Sequence, residues 1–211
     1  MESMCSCSVS RALTMPPKCA DTFAAGMKNA ISLAALLLLA GCVKDRVLPA
    51  NSTGGGTASD AIAPGRLKVN EFVATGSTNV NEFGTAEDWF EVYNTTTASI
   101  TLRAGDWFVS DAGPVSPTKY ELPEVTIPGL GHLVIWCDNL NTVATQIHTN
   151  FALSSAGEHL VIYYQSDTAE FVVDDYAFGP QSASGASNGR SPDGSDNWVI
   201  LSNPTPGAPN P

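Results

Sequence analysis

The seven residues Asp88-Trp-Phe-Glu-Val-Tyr-Asn94 constrain the fold more than any other stretch. In an extended conformation they place Phe90 and Val92 on one face and Trp89, Glu91 and Tyr93 on the other, which suits a pleated, half-buried strand. The same pattern recurs from Leu67 onward between Gly, Pro, Asn and Asp turns, with no convincing amphipathic helix. The predicted fold is therefore all-β, a sandwich over residues 67–211. Expected strands include Leu67–Ala74, Ile100–Leu102, Asp106–Asp111, Val125–Pro128, His132–Cys137, Phe151–Leu153, His159–Tyr164, Glu170–Asp174 and Trp198–Leu201. Tyr120–Leu122 continues the series. In the first strand Leu67, Val69, Glu71 and Val73 alternate against Lys68, Asn70, Phe72 and Ala74. Leu160 and Ile162 are expected to face inward opposite Phe171 and Val173 across a hairpin closed by Gln165–Ala169. Val69-Asn-Glu-Phe72 recurs as Val80-Asn-Glu-Phe83, but two copies do not define a repeat architecture.

The front of the chain has a different composition. Lys28 is followed by an uncharged run, Asn29 to Cys42, centred on Ile31–Ala40. It is too brief to span a bilayer well and has the length of a signal-peptide core. Leu39-Ala40-Gly41-Cys42 resembles the bacterial lipobox, in which lipid is attached to the Cys thiol and the signal peptidase cuts just before it. That resemblance implies a signal peptide over residues 27–41 and a lipid anchor on Cys42. Translation is then expected to start at Met27, and residues 1–26, with Cys5, Cys7 and Cys19, to be an over-extended N-terminus without chemistry. Residues 42–66, which include Asn51-Ser-Thr-Gly-Gly-Gly-Thr-Ala-Ser-Asp60, cannot bury enough apolar surface to order themselves and read as a flexible tether. Val43 stands where an Asp would mark inner-membrane retention, so an outer-membrane lipoprotein is expected.

The whole chain carries a formal charge of −11. A surface this acidic repels nucleic acid and anionic head groups, so DNA binding is disfavoured and membrane attachment has to come from lipid. After Cys42 the only other cysteine is Cys137, so no intrachain disulfide is available beyond the anchor. Cys137 shares a strand face with Leu133 and Ile135 and reads as a small buried hydrophobe.

Candidate chemistry is sparse. Gly185-Ala-Ser187-Asn-Gly189 matches G-x-S-x-G, but Ser187 is expected in a loop rather than at the strand-to-helix turn a nucleophile elbow needs. His132, His148 and His159 have no spacing that makes a zinc site, and no metal site is expected from them. Glu87-Asp88, Asp174-Asp175 and Asp193-Gly194-Ser195-Asp196 are oxygen-rich clusters that would suit Ca²⁺, against the plainer reading of solvated loop acids. Glu71 and Glu91 form a pair of strand carboxylates of the kind glycosidases use; facing solvent, or accepting bonds from Arg or Tyr, is the expectation here. Trp107, Trp136 and Tyr163 are the candidate sugar-stacking platform, core packing being the commoner fate of large aromatics.

Several segments together resemble the bacterial lamin tail domain, an immunoglobulin-like sandwich. Val69-Asn70-Glu71-Phe72 is similar to its opening strand and Asp88–Asn94 to its signature second strand; Trp107–Asp111 matches the Trp-x-Leu-x-Asp segment that follows. Pro128-Gly-Leu-Gly131, Phe151-Ala-Leu-Ser154 with Gly157-Glu158, and Gly189-Arg190-Ser-Pro-Asp193-Gly194 continue the order. Trp198 and Pro204-Thr-Pro206-Gly207-Ala-Pro-Asn210 complete it. The chain departs from the family at Gly105-Asp106 and in the Gly-free turn at Gln165–Ala169. The resemblance implies structural roles for Glu71, Trp89, Glu91, Asn94, Asp111, Arg190, Asp193, Gly194, Trp198, Pro206 and Gly207. It also implies a non-enzymatic surface module with no cofactor, either structural or binding, with an envelope protein or polysaccharide as the candidate partner. Carbohydrate binding, or a hydrolase with an unrecognised site, are the alternatives. Arg190 and Trp198 are expected to pin the closing segment against the sandwich edge.

Overall fold

A computed structural model describes residues 63–181 and 184–211. Leu39, Ala40, Gly41, Cys42 and the other readings of residues 1–62 lie outside the described residues. Among the described residues every regular element is a strand, numbered in chain order: β1 (Leu67–Val73), β2 (Asp88–Asn94), β3 (Ile100–Leu102), β4 (Trp107–Ser110), β5 (Tyr120–Glu121), β6 (Val125–Ile127) and β7 (His132–Cys137). They continue as β8 (Thr142–Val143), β9 (Ile147–His148), β10 (Glu158–Gln165), β11 (Glu170–Phe178), β12 (Ser187–Arg190) and β13 (Trp198–Leu201).

The strands form a seven-stranded sheet in the order β13-β12-β1-β2-β7-β9-β8, a four-stranded sheet β11-β10-β4-β5 and a β3-β6 pair. All pairings are antiparallel except β7 with β9. The architecture is all-β and sandwich-like, as the alternating pattern predicts. One core draws on all three sheets: Leu67, Val69, Phe72, Phe90, Val92 and Ile135 meet Trp107, Val109, Leu160 and Ile162, with Ile100, Leu102 and Ile127 closing one side. Fully burying an aliphatic or Phe side chain contributes roughly 1.5–3 kcal/mol, so this cluster is the main source of stability. Cys137 belongs to it, and complete burial pushes its thiol well above the ordinary range.

The simple alternation fails in β1. Val69 pairs with Val92 and Glu71 with Glu91, leaving Asn70 as an extra residue without a partner on β2. This bulge moves the inward set from Leu67 and Val69 to Phe72 and Ala74, and turns Glu71 and Val73 to the opposite face. A second bulge falls on Val173: Ile162 pairs with Asp174 and Tyr163 with Val172, so Leu160 and Ile162 stand opposite Tyr176 and Asp174 rather than Phe171 and Val173. The connecting loop is residues 166–169, because Gln165 pairs with Glu170.

Phe151–Leu153 is not a strand; it contributes only the bridge from Ala152 to Asp138. The chain uses β8 and β9 instead, two short strands that composition does not mark. Ser187 is likewise not in a loop. It starts β12, which lies between β1 and β13, and the continuous pairing leaves no room for an elbow turn.

Candidate functional site

The seven-stranded sheet has a second face, turned away from the main core, and the polar groups with chemical potential collect there. Cross-strand register sets their positions. Val73, Trp89, Trp136 and His148 form one row across β1, β2, β7 and β9, and Glu71, Glu91 and Val134 form the next across β1, β2 and β7. Both faces of β2 are therefore covered, and Trp89, Glu71 and Glu91 are fully buried.

Glu71 and Glu91 do not face solvent, and neither accepts a bond from Arg or Tyr. The carboxyl-terminal segment crosses them. Glu71 Oε1 accepts from the Ser187 hydroxyl and from the Thr205 amide at 2.9 Å, while Oε2 accepts from the Thr205 hydroxyl at 3.0 Å. Glu91 Oε1 accepts from Asn70 Nδ2 at 3.0 Å and Oε2 from the Gly207 amide at 2.6 Å. Asn70, displaced by its bulge, also donates to Asp193 Oδ1 at 3.0 Å and accepts from the Gly194 amide at 2.9 Å. His132 Nε2 lies 3.1 Å from Asp193 Oδ2, and the Asn210 amide donates to Asp193 Oδ1 at 3.0 Å. Burial pushes Glu91 up to about 8, against the bonds from Asn70 and Gly207 and with help from the charges of Glu71 and Asp193. Glu71 is raised by burial as well, opposed by Ser187 and Thr205.

A general acid and a base need access to substrate. These two carboxylates instead hold a strap. Ser187 donates to Glu71 and has no histidine among its hydrogen-bond partners, so it is not arranged as an activated nucleophile.

Arg190 anchors the other side of the closing segment. It is buried, donates from Nε to the Val69 carbonyl at 2.7 Å and from Nη1 to the Ser195 carbonyl at 2.5 Å, and lies 4.8 Å from the centre of the Trp198 ring. Trp198 stacks on Tyr176 at 3.8 Å. Residues 190–198 are thus pinned at the β12–β13 edge as expected, but residues 205–210 cover the face over β1 and β2 rather than an edge. Pro206 and Gly207 shape that crossing, Gly207 with a φ of +79°. Gly194 has a φ of +68°, and a Cβ there would stand 3.1 Å from the Tyr93 ring.

A second polar constellation joins two loops at the far end of the same face. His148 Nδ1 lies 2.6 Å from Asp138 Oδ2 and Nε2 lies 3.3 Å from Glu82 Oε2. Glu82 Oε1 accepts from the amides of Thr145 and Gln146 at 2.9 and 3.1 Å. Burial works to raise the Glu82 carboxyl, but the bond from the Gln146 amide, the 3.3 Å charge contact with His148 and the bond from the Thr145 amide outweigh it and hold it below the usual range. Phe83 lies over the His148 ring at 5.1 Å. Among the described residues, the buried polar side-chain atoms lacking a hydrogen bond are Asn79 Oδ1, Glu82 Oε2, His148 Nε2 and the indole nitrogens of Trp89 and Trp136. Periodicity gives no hint of this cluster, because Glu82, Asp138 and His148 come from three separate segments.

The remaining candidates are dispersed. Trp107 is buried in the main core, Trp136 is buried in the second cluster with Val73 and Trp89, and Tyr163 donates to Glu170 at 3.1 Å. Trp107 and Tyr163 lie on adjacent strands of the four-stranded sheet and Trp136 on the seven-stranded one, and with Trp107 and Trp136 buried the three form no stacking row. The candidate Ca²⁺ acids have other partners: Asp174 accepts from the Val69 amide and pairs with Arg190, Asp175 pairs with His159, and Asp196 pairs with Lys68. Asp88 is pushed up to about 6, by burial and then by Glu87. Among the described residues no group of three or more His, Cys, Asp or Glu is arranged to hold a metal ion. Asn94 closes a turn through bonds to the carbonyls of Ala98 and Pro128, and Asp111 pairs with Lys119 at 2.6 Å. An open groove of about 600 Å³, lined by Arg103, Asp106, Phe108, Gln165 and Asp167, flanks the β10–β11 turn. Sequence reasoning did not single it out.

No family model matches this chain, and a search of the curated proteins finds no match.

Proposed function

We propose that the chain is a lipid-anchored protein of the bacterial envelope, attached through Cys42, whose immunoglobulin-like, lamin-tail-like domain is a non-enzymatic binding or structural module. The resemblance over residues 67–211 supplies the fold family, and the Leu39–Cys42 tetrapeptide after its apolar run supplies the anchor. The observation that carries the non-enzymatic reading is the closure of the Glu71–Glu91 pair. Its carboxylate oxygens are engaged by Asn70, Ser187, Thr205 and Gly207, so the most reactive-looking pair on the domain serves its architecture. The step from such a fold to a binding role is analogy.

The test is direct. Mass spectrometry of the native protein should show Cys42 as the first residue, carrying acyl chains, and Cys42→Ala should move the protein out of the membrane fraction. An intact amino terminus ahead of residue 42 without lipid would overturn the reading.

A further inference from the structure

The two places where the chain departs from the lamin-tail pattern, Gly105-Asp106 and the Gly-free turn at Gln165–Ala169, lie far apart in sequence and meet in space. They form the walls of the groove of about 600 Å³ beside the β10–β11 turn. That volume falls within the range of small-ligand sites, about 300–1,000 Å³.

Backbone bonds hold both walls. Gly105, with a φ of +87°, and the bond from the Asp106 amide to the Arg103 carbonyl at 3.2 Å turn the chain into β4. The Gln165 amide donates to the Asp106 carbonyl at 2.9 Å, which ties one wall to the other just beyond the Tyr164–Trp107 pair. Within the turn, the Ser166 amide donates to the Ala169 carbonyl at 2.8 Å, and the Ser166 hydroxyl accepts from the amides of Thr168 and Ala169 at 3.3 Å each. A ligand thus meets a shape already made, and little ordering is needed on binding.

The polar side chains lining this shape are free. Arg103, Asp106, Gln165 and Asp167 have no hydrogen-bond or ion-pair partner for their side chains among the described residues. Acids elsewhere on the domain are engaged: Asp111 by Lys119, Asp174 by Arg190 and Asp175 by His159. Half-buried Phe108 adds an aromatic ring, whereas Tyr164 belongs to the main core.

This mixture selects the ligand. One Arg with two Asp gives the lining a net charge of −1 with both signs present, which favours neither a polyanion nor a polycation. A single half-buried ring is too little apolar surface for a hydrophobic peptide. Carboxylate and amide oxygens that accept, beside guanidinium and amide nitrogens that donate, match hydroxyl groups, each of which does both. An aromatic ring suits the C–H face of a pyranose.

We propose that the groove binds neutral hexose units of a polysaccharide, with Asp106, Gln165 and Asp167 accepting from sugar hydroxyls, Arg103 donating to them and Phe108 against the ring. The assignment rests on the reading of the domain as a binding module and names the chemistry of what it takes.

An array of neutral and acidic glycans probed with the full-length chain tests it, followed by calorimetric titration of the strongest neutral oligosaccharide. At least one neutral hexose glycan should bind, with an affinity that changes less than about two-fold between low and high salt. Gln165→Ala with Asp167→Ala should weaken it about ten-fold or more; both positions are exposed, and an unchanged melting temperature would certify the fold. Val143→Ser, on the seven-stranded sheet, should leave it unchanged. Silence across the neutral glycans, binding confined to acidic ones, or undiminished binding to the double variant would overturn the proposal. So would capture of an unstructured peptide that the double variant abolishes, with no glycan bound. Each of these failures leaves Cys42 lipidated, whereas loss of the envelope-module reading would show as an unlipidated Cys42.

Discussion

Glu91 shows how a single buried acid makes stability depend on pH. Its carboxyl is raised from 4.5 to about 8, so the folded chain keeps a proton that the unfolded chain has released. A raised carboxyl favours the folded state fully below about 4.5, and that contribution is lost as pH rises to about 8. Asp88, raised to about 6, acts with the same sign over the lower part of the window. Thermal melts of the wild type should therefore fall across this range, and Glu91→Gln should fall less steeply, because the amide oxygen still accepts from Gly207 and has no proton to lose. Parallel slopes for the two proteins would contradict the assignment. Ser187→Ala removes one donor from buried Glu71 and should cost about 1–3 kcal/mol in a urea titration. The sequence marks Glu71 and Glu91 as unusual in a strand but hides why they are tolerated. Their partners Ser187, Thr205 and Gly207 lie 116 or more positions further along the chain.

At the scale of elements, one inserted residue decides which side chains of β1 enter the main core and which lie under the strap. Strict alternation assigns Glu71 to the face of Leu67 and Val69; the extra Asn70 reverses the remainder of the strand and sends Phe72 inward. Bulges leave no signature in alternation itself, which is why β2 was legible at full length and the faces of β1 were not. Asn70→Ala removes the bonds to Glu91, Asp193 and Gly194 together, and a loss of roughly 2–4 kcal/mol in the same titration is expected from the unpaired buried groups. The strap is the second element with a measurable role. Deleting residues 203–211 uncovers Glu71 and Glu91 and should lower the melting temperature; an unchanged melt would show that the strap contributes nothing. Strands β8 and β9 escaped notice because two-residue strands carry no periodicity, and their place comes from the Asp138–His148–Glu82 network instead.

For the molecule as a whole, the shared core is the main source of stability, and among the described residues no disulfide adds to it. Cys137 is buried and free, so melting should be the same with and without a reducing agent, and the thiol should react with an aromatic disulfide reagent only after unfolding. Faster labelling of the folded protein would mean that β7 opens locally. Fold class and the β12–β13 edge contacts of Arg190 and Trp198 were legible because local pattern carries them. The His148 network was not, since Glu82, Asp138 and His148 become neighbours only when three separate segments come together.

The strap also ties together parts of the chain that lie far apart in sequence. Glu71 and Glu91 receive their cover from Thr205 and Gly207, 134 and 116 positions further along. Covering the two acids therefore carries the loop-closure entropy of joining distant segments, which makes it a non-local step of folding.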